Sequence, residues 1–215
     1  MLFKDRTEAG KLLAKKLNEY QNKDAIVYGL PRGGVVIAVE IARYLHVPLD
    51  LIITRKIGHP FDPEYAIGAL TLSGDIVGNR ELSSVDPEWL VNTMKKEQHE
   101  IQRRKERYLQ KEKPQSLKGK IAILVDDGVA TGFTLLAGIT ELRHKKPSRL
   151  IVAVPVIPQS VAKIVAEKTD KLIALATPKD NDFLQSVGAY YATFTQVEDD
   201  EVVTILKRYN RDKRL

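Results

Sequence analysis

Short runs of apolar side chains, each followed within a few positions by a glycine-containing turn or a helical pattern, restrict this chain more than any other feature. Six runs read as strands: residues 25–29, 49–54, 66–70, 121–125, 150–156 and 172–176. Most are continuously apolar instead of alternating, so both of their faces must be covered. Helical patterns at 33–45, 131–145 and 159–168 each follow a strand closely. Repeated strand-turn-helix units predict an α/β fold: a mostly parallel, twisted sheet flanked by helices.

With 215 residues the chain is expected to form one domain, 1–215, carrying an insertion. The pattern breaks between 71 and 118. There Gly74 and Gly78 punctuate a small hairpin or loop, and Asp86-Pro87-Glu88 reads as an N-cap, a first-turn proline and a first-turn acid. The helix they open is expected over about 87–113, stopped by Pro114. It is basic: from Lys95 to Lys120, ten Lys or Arg stand against four Glu, enough to account for the net charge of +6. Intermixed acids favour a solvated helix face over a nucleic-acid surface. Residues from about 178 to 215 are expected to form a small hood and tail, ending in a frayed basic segment, RYNRDKRL.

Several chemistries are excluded. Without cysteine there are no disulfides, thiolate nucleophiles or cysteine zinc sites, and four scattered histidines offer no metal-ligand spacing. No apolar stretch is long enough for a membrane span, and the start, MLFKDRTEAGKLLAKKL, reads as an amphipathic helix instead of a secretory signal. A cytoplasmic protein is expected.

Asp126 and Asp127 stand directly after the apolar run 121–125, at the end of a buried strand, where carboxylates are unfavourable unless they are used. Parallel α/β sheets bind ligands outside the carboxyl ends of their strands. Here Gly128 and Gly132 permit tight backbone, Thr131 and Thr134 offer hydroxyls, and the following helix presents N–H groups and a positive dipole. This is a phosphate cradle, and the two acids beside it suit sugar hydroxyls and a cation. A Walker loop would need Gly-Lys-Ser/Thr, and a dinucleotide fingerprint would need three spaced glycines in the first strand-helix turn. The pattern fits a sugar phosphate better than either.

The segment from Ile121 to Thr134, IAILVDDGVATGFT, resembles the signature of the type I phosphoribosyltransferases. The resemblance implies that Asp126 and Asp127 hold the ribose 2- and 3-hydroxyls of 5-phosphoribosyl 1-pyrophosphate. It also implies that they hold Mg2+, directly or through those hydroxyls and water. Gly128, Val129, Ala130, Thr131, Gly132, Phe133 and Thr134 would surround the 5-phosphate, with Phe133 standing where the family usually has a small residue. Pro31, Arg32, Gly33 and Gly34, after the first strand, correspond to a pyrophosphate-binding loop. The residue chemistry agrees, with exposed glycine N–H groups and a guanidinium fork. Arg55 and Lys56 are similar to the basic pair that precedes a mobile loop and meets the leaving group. That loop, through about Glu64, offers His59, Asp62 and Glu64 as candidate acids or bases.

Phe183, Tyr190 and Tyr191, with Phe194 nearby, are candidates to stack on a planar acceptor, core packing being the expectation for at least two of these four rings. Together with the basic helix, this region resembles a branch of phosphoribosyltransferases whose acceptor is not agreed, some members of which are joined to hydrolase domains. The expected activity is magnesium-dependent transfer of the phosphoribosyl group to a nitrogen acceptor, a nucleobase or related amine, with pyrophosphate released. Arg32, Arg55, Lys56, Asp126 and Asp127 would carry it through charge stabilisation and placement. The alternative is a sensor of the same donor that binds RNA, DNA or protein through the basic helix. The long helix suggests a homodimer.

Overall fold

A computed structural model describes residues 2–109, 116–184 and 186–212. Its elements in chain order are α1 (Arg6–Lys16), β1 (Ala25–Gly29), α2 (Gly34–Leu45), β2 (Leu49–Leu51), β3 (Arg55–His59), β4 (Asp62–Leu70), β5 (Ile76–Gly78), α3 (Pro87–Leu109), β6 (Ile121–Val125), α4 (Phe133–His144), β7 (Arg149–Val156), α5 (Gln159–Lys168), β8 (Lys171–Ala176) and α6 (Asp199–Asp212).

Five of these strands pair in parallel, in the order β2-β1-β6-β7-β8. The absence of polar alternation in their sequences follows from two-sided cover. Ala25, Val27, Ile123, Val125, Ile151 and Ala153 belong to a core shared with α1 and α2. Their neighbours Ile26, Tyr28, Ala122, Leu124, Val152 and Val154 belong to a second core with α4 and α5. Each fully buried Val, Leu or Ile contributes about 1.5–3 kcal/mol by leaving water. A polar residue at any of these positions would forfeit that burial whichever way it faced.

Three expectations are corrected. Residues 66–70 do not join the parallel sheet; they end β4, which pairs antiparallel with β3 and β5 in a separate three-stranded sheet. Residues 49–54 are strand only as far as Leu51, and Arg55-Lys56 opens β3 instead of ending the previous strand. The loop expected after Lys56 is the β3–β4 hairpin, in which His59 pairs with Asp62. Phe61, at its tip, is exposed.

The C-terminal segment is not frayed over 208–212. Val202, Leu206 and Tyr209 lie along one face of α6 and are buried, and the Tyr209 hydroxyl donates to the Val47 carbonyl. Residues 213–215 lie outside the described residues, as do 110–113 of the expected basic helix and Pro114. At the start of α3, Asp86 Oδ1 accepts from the Trp89 N–H at 2.7 Å, the expected N-cap. Among the described residues no helix is long and apolar enough to cross a membrane.

Candidate active site

The chain lays β2 on one side of β1, then returns to place β6, β7 and β8 on the other. The order therefore reverses between β1 and β6, and the connections leaving their carboxyl ends diverge to open a crevice there. The two turns singled out from sequence, 30–34 and 126–132, are those that leave β1 and β6.

They meet through glycine. A Cβ built on Gly33 would stand 2.6 Å from Asp127 Cγ and 2.8 Å from Arg6 Nε. On Gly34 it would stand 2.9 Å from both the Asp126 Cα and the Val125 carbonyl oxygen. A side chain at Gly34 would push the two turns apart, and one at Gly33 would displace the Asp127 carboxylate. At the other end of the second turn, Gly132 has φ +82°, a left-handed conformation that turns the chain into α4 and strains any other residue.

Both helices that open on the crevice carry glycine at the N-cap, Gly33 for α2 and Gly132 for α4, and neither receives a side-chain cap there. An uncapped first turn leaves N–H donors and positive dipole facing outward, which is what an anion needs. At α1, α3 and α5 carboxylates cover these positions: Asp5 accepts from Glu8 N–H, Asp86 from Trp89 N–H and Asp180 from Ser160 N–H.

The two acids are held differently. Asp126 Oδ1 accepts from the Asp127 N–H at 2.8 Å. Loss of water around the half-buried Asp126, followed by the neighbouring Asp127 charge, pushes its carboxyl well above the ordinary aspartate range. Asp127 Oδ2 accepts from Arg6 Nε at 2.7 Å, and its carbonyl accepts from the Tyr191 hydroxyl at 2.6 Å. Burial, then the Asp127 charge, raises the Tyr191 phenol, so it stays protonated as a donor.

Arg32 lies in the turn after β1 and pairs with Glu198 at 3.0 Å and, more loosely, with Asp199 at 3.8 Å. A cavity of about 360 Å³ opens beside it, lined by Arg6, Arg32, Gly33 and the 194–197 segment. Arg55 is placed elsewhere. Its Nε donates to Glu97 of α3 at 2.6 Å, and it lines a different cavity of about 480 Å³ with Lys96, His99 and Arg103. Lys56 pairs with Glu64 within the β3–β4 hairpin, where His59 and Asp62 also make their hydrogen bonds. Thr54 brings this region close to the crevice, its hydroxyl donating to the Thr134 carbonyl at 3.4 Å.

Tyr190 and Tyr191 are buried, and their rings are packing surfaces instead of open stacking faces. The Tyr190 hydroxyl accepts from Leu184 N–H, and its ring meets the half-buried Phe183. Phe194 is the aromatic beside the cavity, with the Arg6 guanidinium 3.7 Å over its ring. Phe133 is the half-buried first residue of α4.

Sequence reasoning missed Arg6, Glu198 and Asp199. Nothing in a helix of Lys, Leu and Ala marks Arg6 as the partner of an acid 121 positions away. Asp199-Asp200-Glu201 followed by Val202, Leu206 and Tyr209 was a legible helix start with an apolar stripe. On α3, Arg103 pairs with Glu100 and Asp199, Arg104 with Glu100, and Arg107 with Asp199 and Asp200. Much of the apparent basic face is thus neutralised within the fold.

Residues 6–192 match the family model described as a phosphoribosyl transferase domain. Two Mycobacterium tuberculosis proteins, from strains CDC 1551 / Oshkosh and ATCC 25618 / H37Rv, are named provisionally as phosphoribosyl transferases. Each is 40% identical over 214 residues, covering 98% of this chain and 48% of its own length. The chain therefore spans about half the length of the curated relatives it matches. The crystal structure of TT1426 from Thermus thermophilus is 38% identical, covers 97% of this chain and 99% of its own, and superposes with a TM-score of 0.80. With its parallel sheet, its paired turns at the switch point and a family match over most of its length, this chain belongs to the phosphoribosyl transferase domain family.

Proposed function

We propose that the chain transfers the 5-phosphoribosyl group of phosphoribosyl pyrophosphate to a nitrogen acceptor, a nucleobase or related amine, and releases pyrophosphate. The observation that carries this reading is the contact of the turns after β1 and β6, where Gly33 and Gly34 let the backbone of one close onto Asp126 and Asp127 of the other. A doubly phosphorylated pentose has the matching shape. Its 5-phosphate would lie on the uncapped start of α4 along 129–134, its ribose hydroxyls on Asp126 and Asp127, and its pyrophosphate over Arg32, Gly33 and Gly34.

Displacement at the anomeric carbon develops positive charge on the sugar and negative charge on the leaving group. Arg32 is suited to the second task, since its pairs with Glu198 and Asp199 are partly solvated and exchangeable for phosphate oxygens. Lys56, likewise in an exposed pair, is a second candidate from the hairpin side. Arg55 would first have to leave Glu97. Placement of the sugar by a fixed pair of carboxylates, with no covalent nucleophile, supplies the rest.

Among the described residues no group of three or more His, Cys, Asp or Glu side chains is set to hold a metal unaided. Two adjacent carboxylates fit magnesium, which takes one or two of them and completes its shell with water and substrate phosphates. Asp126 and Asp127 would hold it directly or through ribose hydroxyls and water, and it would supply neutralisation of the pyrophosphate. Incubation with donor and magnesium across a panel of nucleobases and amines tests the reading. Acceptor-dependent pyrophosphate release is the expected result, and tight donor binding without release for any acceptor would instead identify a sensor.

A further inference from the structure

The fold buries one basic side chain for which neither the ribose contact nor the anion cradle accounts. Arg6 begins α1 and is 9% exposed. A buried guanidinium must be matched by acceptors on more than one side. Its Nε donates to Asp127 Oδ2 at 2.7 Å, its Nη1 donates to the Thr195 carbonyl at 2.8 Å, and its flat face lies 3.7 Å over the Phe194 ring. The Phe194 ring is itself seated on Tyr191 at 4.9 Å, and the Tyr191 hydroxyl holds the Asp127 carbonyl. Side chain and main chain of Asp127 are thus fixed from one assembly that joins the first helix to the 191–195 segment. Gly33, on the other side, has no Cβ and so gives that carboxylate the space it fills.

We propose that Arg6 is the positioning residue for Asp127: it occupies Oδ2, sets the carboxylate's rotation and leaves Oδ1 to accept from a ribose hydroxyl. The inference rests on the phosphoribosyl reading above. Arg6 acts through Asp127 and needs no contact with the ligand. A lysine in its place restores the charge but lacks the fork that reaches Asp127 and Thr195 together.

The test is a double-mutant cycle read by calorimetric titration with ribose 5-phosphate, in Arg6→Met, Asp127→Asn and the double variant. Arg6→Met is expected to weaken binding about tenfold in the wild-type background and less than twofold in Asp127→Asn. Arg6→Lys should recover part of the loss. If Arg6→Met does not fold, Phe194→Leu serves instead: it removes the ring under the guanidinium, and about threefold weaker binding is expected. Losses that multiply in the double variant, or binding indifferent to Arg6→Met, Arg6→Lys and Phe194→Leu, would overturn the proposal while leaving the donor site intact. Failure of the wild-type protein to bind either ribose 5-phosphate or the complete donor would remove the phosphoribosyl reading, and this proposal with it.

Discussion

Helices α1 and α3 each begin with an aspartate that accepts a first-turn N–H, whereas α2 and α4 carry N-cap glycines that accept nothing through a side chain. By local propensity the first pair is slightly better built, since an N-cap carboxylate is worth roughly a few tenths of a kcal/mol over glycine. The second pair forgoes that stabilisation at the two strand ends where the sheet order reverses. The difference teaches where to look for a ligand: fold-forming ends are satisfied internally, and ligand-binding ends are left to be satisfied by what binds.

The most severe way to break this contrast is Gly33→Ala. The added methyl meets the Asp127 carboxylate and Arg6 Nε, so the carboxylate must leave its place, and a displacement approaching 1 Å costs on the order of 100-fold in a positioned site. Donor affinity by calorimetry should fall by about that factor, with overpacking lowering unfolding free energy by about 1–3 kcal/mol. Unchanged affinity would mean that the two turns do not act together.

Asp127→Ala comes next. It removes the ribose acceptor and leaves Arg6 without its carboxylate, side chains that are 17% and 10% exposed. Donor binding should weaken about 30-fold, and denaturant unfolding should register a loss of about 2 kcal/mol, below the range for a fully buried pair.

Asp86→Ala sharpens the comparison from the capped side. Loss of the bond to Trp89 N–H should lower stability by about 1 kcal/mol and leave donor affinity within about twofold. A large fall in affinity would show that α3 belongs to the site.

Glu100, also on α3, gives the smallest effect. Hydrogen bonding by Arg103, opposed by partial burial and reinforced by Arg104, holds its carboxyl at about 2 against an ordinary 4.5. A depressed acid contributes stability above its unfolded value, and that contribution is lost as pH falls from 4.5 towards about 2. Because the pair is partly solvated, the contribution is discounted to below about 1 kcal/mol. Glu100→Gln should flatten the acid limb of the stability curve over that window and leave donor affinity alone.

Much of this was legible in the sequence. Residues 121–125 and 150–156 are covered on both faces, so burial writes itself into every position, and the acids and glycines after 125 have no structural use strong enough to disguise them. What was not legible lies where burial is one-sided or distant. In β3, Ile57 alone is fully buried, and Arg-Lys-Ile-Gly-His carries no periodic signal. The two prolines near its hairpin read as loop. The half-exposed β4 hid its antiparallel partnership for the same reason, four exposed residues preceding five buried ones. Arg6 reaches Asp127 through tertiary placement alone, whereas the burial of Tyr190 and Tyr191 meets the expectation that at least two of the four rings are core, the sequence leaving open only which two.

A crystal structure of the protein with phosphoribosyl pyrophosphate and magnesium tests the central claim most directly. The account predicts the 5-phosphate against the N–H groups of 129–134, the ribose hydroxyls on Asp126 and Asp127, and the pyrophosphate across Arg32, Gly33 and Gly34. A donor bound away from the β1–β6 crevice, or a crevice closed by its own side chains in the presence of saturating donor, would contradict it.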